Sequence, residues 1–111
     1  MELTEESRAG VTVVTARGRL DGASSGMFAE RLGRLVQGTQ PRLVVDFANV
    51  DFVSSAGLRA VLTLVKKIKA TNGVFALCAV QGPVREVLDI TGFATMIDIH
   101  PELSAALAAI S

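Results

Sequence analysis

The segment Ser54-Ser55-Ala56-Gly57 carries the most pointed chemistry in the chain. It sets two adjacent hydroxyls between a strand-like stretch, Val50 to Val53, and an amphipathic helix. One serine stands where an N-cap is wanted, with its oxygen accepting an orphan N–H of the first helical turn. Such a cap contributes about 1 kcal/mol and implies nothing more by itself. The same position also suits a phosphoacceptor. Backbone N–H groups and the helix dipole favour an added phosphate locally, while its charge of roughly −1.5 to −2 opposes burial under a docking partner. A penalty of about 3 kcal/mol would weaken docking about a hundredfold. One modification would then release a partner and leave the fold intact. Position alone leaves cap and phosphoacceptor equally open.

Other reactive residues are sparse. The single histidine, His100, precedes Pro101 at an expected helix start, where a capping or surface role is the simpler reading. A serine or cysteine nucleophile wants a positioned base and an orienting acid, and no second histidine exists to supply them. The sequence contains no Gly-x-Ser-x-Gly elbow, phosphate loop or dinucleotide fingerprint. One histidine and one cysteine do not make a zinc site. Asp21, Asp46 and Asp51 sit at the ends of strand-like segments, where Asx-type turns are expected. They would still share one sheet edge, the edge where open α/β sheets bind ligands and partners. No enzymatic activity, cofactor or metal is expected.

The elements that must position these residues are read from periodicity. Leu3 belongs to a possible edge strand, and Val11 to Ala16 form a mostly apolar strand ending at Gly18. Ser24 is expected to cap a helix with Phe28, Leu32, Leu35 and Val36 inward, stopped by Gly38 and Pro41. Leu43 to Phe47 reads as a strand buried on both faces, followed by a turn through Asn49 and a second extended piece, Val50 to Val53. From Leu58 the period becomes 3.6, with Leu58, Val61, Leu62, Val65 and Ile68 inward and Arg59, Thr63, Lys66 and Lys67 outward. Asn72-Gly73 closes this helix, and Val74 to Val80 form another buried strand. Gly82-Pro83 opens a third helix with Gly92 as its left-handed C-terminal cap. Met96 to Ile99 is a last short strand, and Pro101 starts a last helix with Leu103, Ala106, Leu107 and Ile110 inward. The alternation predicts an α/β fold: a small mixed, mostly parallel sheet backed by one layer of helices, in a single domain over residues 1–111.

Composition excludes several partners. Half of the 111 residues are hydrophobic and 20% charged, which excludes a disordered regulator. Eleven basic and eleven acidic residues balance, against a nucleic-acid binder. Lys66, Lys67 and Lys69 fall at a helix end, where cations suit the dipole. The lone Cys78 is expected to be a buried thiol, consistent with a reducing compartment. The polar Met1–Gly10 segment does not read as a signal peptide. The longest apolar run, Val74 to Val80, is far short of the ~20 residues that span a bilayer. A cytoplasmic monomer with no membrane contact is expected.

Taken together, Gly18-Arg19-Leu20-Asp21, Leu43-Val44-Val45-Asp46-Phe47 and the run from Val50 to Arg59 resemble the STAS domain of bacterial anti-sigma factor antagonists. The likeness continues through Asn72-Gly73, Leu77 to Val80 and Val84 to Phe93, in the same order along essentially the whole chain. The resemblance implies a domain that binds an anti-sigma factor serine kinase when unphosphorylated and so frees a sigma factor. Phosphorylation by that kinase switches binding off, and a phosphatase resets it. It implies Ser55 as the phosphoacceptor and a partner-binding surface of Asp21, Ser54, Ser55, Ala56, Gly57 and Arg59. The common family pattern reads Asp-Ser-Ser/Thr-Gly, so here Ser54 replaces the aspartate and Ala56 the second hydroxyl residue. That departure motivates an alternative: a STAS-like accessory subunit of a lipid-transport ATPase that works without phosphorylation.

Overall fold

The computed structural model describes residues 1–110. Five strands form one sheet in the order β1-β2-β3-β4-β5: β1 Glu2–Arg8, β2 Val11–Leu20, β3 Arg42–Val53, β4 Val74–Cys78 and β5 Asp98–His100. β1 pairs antiparallel with β2, and the three remaining pairings are parallel. The mixed, mostly parallel sheet is therefore as the alternation predicted. Four α-helices complete the fold: α1 Ser25–Leu35, α2 Ser55–Ala70, α3 Gly82–Ile90 and α4 Leu103–Ile110, with a short 3-10 turn at Phe93–Thr95.

The helices do not form one layer. Alternate strand residues point to opposite faces, and each face carries its own apolar cluster. Val14, Ala16, Leu43, Val45 and Leu77 meet Phe28 and Leu32 of α1, Val61, Val65 and Ile68 of α2, and Val84 and Leu88 of α3. Val11, Val13, Val44, Ala76 and Cys78 meet Ala106 and Ile110 of α4. The last helix thus covers the reverse face alone. Its Leu103 and Leu107 pack there half-buried. Leu64 joins the buried face of α2, while Leu62 is only partly covered.

Several expected boundaries move. β2 runs through Gly18 to Leu20, because Gly18 takes φ +111° at an irregularity that the ladder to β3 absorbs. No turn interrupts β3 at Asn49. The residues that looked like a turn are register shifts against β2, between Thr15 and Arg17 and between Gly18 and Arg19. β4 ends at Cys78 because Ala79 is left-handed at φ +57°. Ile97 is buried but lies before β5, and Met96 closes the 3-10 turn. Gly92 does adopt the left-handed conformation, at φ +79°, after α3.

Candidate functional site

The site assembles where β2 and β3 end. Leu20 and Val53 are in register, and the backbone N–H of Ser54 donates to the Leu20 carbonyl at 2.9 Å. Ser54 is the N-cap of α2: its backbone is extended, and its Oγ accepts from the Gly57 N–H at 3.2 Å. Ser54 therefore takes the capping role, leaving Ser55 as the first residue of the helix. Ser55 is exposed, and among the described residues its hydroxyl has no hydrogen-bond partner.

Gly57 is buried in the next turn. A Cβ there would lie 2.4 Å from the Leu20 carbonyl oxygen and 2.9 Å from Leu20 Cγ. Only glycine lets the helix start approach the strand end this closely. Gly57 thus seats the helix instead of facing outward. Ala56 is half-buried beside it, while Arg59 is exposed one turn after Ser55.

Asp21 closes the same edge. Its Oδ1 accepts from the Ala23 and Ser24 N–H groups at 3.0 and 3.2 Å, the Asx turn expected of it. Burial pushes the Asp21 carboxyl up, but the Ala23 and Ser24 amides, the Ser24 hydroxyl and Arg19 together hold it below its ordinary range. Ser24 does not cap α1 with its side chain. Its hydroxyl turns back instead, lying 2.7 Å from the Arg19 carbonyl and accepting from the Asp21 N–H at 3.0 Å, and it is buried.

Periodicity gave no sign of Arg19 and Phe52. The ladder places them opposite each other, with the Arg19 guanidinium 4.1 Å from the Phe52 ring centroid and 3.6 Å from the Asp21 carboxylate. Phe52 stays 38% exposed, an apolar surface on the same edge. The strand pairing that brings them together depends on the bulges, which no local pattern in either strand announces.

The remaining candidates lie elsewhere. Asp46 is inside β3, paired with Cys78, and its Oδ1 accepts from the Ala48 N–H at 2.9 Å. It does not share the edge with Ser55. Asp51 is exposed on β3. His100 is in β5 and not at a helix start, and its carbonyl accepts from the Ala79 N–H at 3.0 Å. β4 separates its strand from β3. Among the described residues no group of three or more His, Cys, Asp or Glu is placed to hold a metal ion. No helix there is long and apolar enough to cross a membrane.

Two shallow grooves flank the start of α2. One, of 280 Å³, runs between Ser55, Leu58, Arg59 and Leu62 on α2 and Thr91 and Phe93 beyond α3. The other, of 290 Å³, lies toward α1, floored by Gly26, Ala29, Ala56 and Ala60. Arg59 borders both. A wider depression of 560 Å³ between the β2–β3 bulges and the start of α3 includes Arg17, Asn49, Asp51 and Gln81 but not Ser55.

These features define a class: a small mixed-sheet α/β domain whose second helix begins, hydroxyl outward, against the end of a neighbouring strand. The STAS domain family model matches residues 2–106, and the chain belongs to that family. BtrV of Bordetella bronchiseptica, a candidate anti-sigma factor antagonist, is 32% identical over 109 residues, spanning 98% of this chain and 94% of its own. An anti-sigma F factor antagonist of Paenibacillus polymyxa is 30% identical over 101 residues, 90% of this chain and 86% of its own. The crystal structure of an anti-sigma factor antagonist from Mycobacterium paratuberculosis superposes with a TM-score of 0.88 at 28% identity, covering 98% of this chain and 92% of that one.

Proposed function

We propose that this domain is an anti-sigma factor antagonist of the partner-switching kind, acting in the cytoplasm. Its unphosphorylated form binds an anti-sigma factor serine kinase and releases the sigma factor, and phosphorylation of Ser55 ends that binding. The observation that carries this reading is the division of labour between the two serines. Ser54 holds the cap, so Ser55 is exposed with its hydroxyl unengaged among the described residues. The names of the relatives support the same reading.

In the transfer step, Ser55 Oγ attacks the γ-phosphorus of ATP. The bond to the bridging oxygen breaks, ADP departs, and the hydroxyl proton passes to the kinase or to solvent. The product carries a charge of roughly −1.5 to −2 at the groove that Ser55 shares with Leu58, Leu62 and Phe93. A partner packed there would have to bury that charge. Because the helix start favours negative charge, the fold itself tolerates it. A phosphatase restores the hydroxyl by hydrolysis.

Incubation with the cognate anti-sigma kinase and ATP, followed by mass spectrometry, is expected to place one phosphate on Ser55. Ser55→Asp is expected to weaken kinase binding at least tenfold. An unmodified Ser55 together with unchanged binding by Ser55→Asp overturns the proposal. Co-purification of a lipid-transport ATPase in place of a kinase would establish the accessory-subunit alternative.

A further inference from the structure

Two guanidinium groups border the edge from which Ser55 projects, and they differ in what holds them. Arg19 is engaged twice, by the Asp21 carboxylate at 3.6 Å and by the Phe52 ring at 4.1 Å. Arg59 is exposed, and among the described residues no carboxylate lies within 4.0 Å of it. Its spacing from Ser55 is four residues, so the two side chains share one face of α2 and line the same groove. The groove wall opposite, Thr91 and Phe93, carries no charge. Nor do Ser25, Gly26 and Ala29 on the α1 side. The Asp21 carboxylate, which turns at this edge, is already committed to Arg19 and its own loop.

We propose that Arg59 is the intramolecular counter-ion of phosphorylated Ser55. The planar guanidinium fork matches two phosphate oxygens, and the i, i+4 spacing brings it within reach with no movement of the backbone. Modification then changes the edge in two ways at once. It adds an anionic group at Ser55 and withdraws a cation that, among the described residues, has no ionic partner in the unmodified domain. Arg59 is thus exposed to an acidic group of the kinase in one state and tied to the phosphate in the other. Arg19 does not compete, because moving it to the phosphate would break both of its present contacts.

This inference rests on Ser55 as phosphoacceptor, so its test does not use the kinase. Phosphoserine is installed at position 55 during synthesis of the full chain, and the second phosphate pKa is followed by ³¹P NMR. Arg59→Gln is expected to raise that pKa by about 0.3 unit or more, Arg59→Lys to recover part of the shift, and Arg19→Gln to move it less. Because Arg59 is exposed, thermal melts of the unmodified Arg59→Gln chain should match wild type. The thermal gain on phosphorylation should shrink in Arg59→Gln alone. A phosphate pKa indifferent to Arg59, or one governed by Arg19, overturns the pairing. If the kinase leaves Ser55 unmodified while the installed phosphate still shows the Arg59 shift, the switch falls and the pairing stands.

Discussion

Gly57 packs directly on the carbonyl of Leu20, the same oxygen that accepts the Ser54 backbone N–H. One strand-end carbonyl therefore fixes both the cap and the first turn of α2. Gly57→Ala sets two effects against each other. Alanine favours helix by up to ~1 kcal/mol, but its Cβ would lie 2.4 Å from backbone that cannot give way cheaply. Overpacking dominates, and the variant should lose about 2 kcal/mol in urea denaturation.

Ser54→Ala removes the acceptor for the Gly57 N–H and should cost about 1 kcal/mol. Ser54→Asp restores the acceptor and adds a charge that the helix start favours, so it should stay within about 0.5 kcal/mol of wild type or exceed it. Denaturation midpoints of the two variants check the order.

Asp21 gives an acid-sensitive loop. Its folded pKa lies below the ordinary value, so the ionised carboxylate stabilises the turn above about pH 4, and this is lost as pH falls through the depressed folded value. Protection of the Ala23 and Ser24 amides, measured against their intrinsic exchange rates at each pH, should fall in that acid range. Asp21→Asn, which keeps the oxygen acceptor, should abolish the pH dependence. Protection factors that stay constant through that range in the wild type would contradict the assignment.

Cys78 gives the opposite sign at alkaline pH. Burial, and secondarily Asp46, push its thiol up to about 12. Below the unfolded value of about 8.5 the thiol adds no pH dependence, and stability falls as pH rises from there toward 12, where only the unfolded chain ionises. A thiol reagent at pH 8 should label Cys78 no faster than the chain opens. Cys78→Ala should flatten the alkaline decline.

The fold class was legible because its signals are local. The 3.6 period of α2, the continuous apolar runs of β3 and β4, and the Gly-Pro start of α3 each declare themselves within a few residues. A serine cap on α2 and the Asx turn at Asp21 were legible from their places next to strand ends, whereas the choice of Ser55 over Ser54 as phosphoacceptor came from the family resemblance. What could not be read were relations between distant segments. The β2–β3 bulges turn an apparent turn at Asn49 into continuous strand and set Arg19 on Phe52. Ser24 looks like an ordinary cap until the hydroxyl is seen to fold back on the Arg19 carbonyl. α4 reads as one more backing helix, since periodicity reports that a face is buried but not which side of the sheet buries it.

That last placement separates two surfaces by the whole thickness of the sheet. α4 packs on the face that α1 and α2 do not touch, while Ser55 starts a helix belonging to the other. With α2 locked to Leu20, a charge added at Ser55 has no lever through which to pull on the reverse side. A fluorophore on an exposed residue of α4 should stay silent through modification, whereas one near Phe93, across the groove from Ser55, should report it. The domain would broadcast its state in one direction only, leaving its back free as a handle.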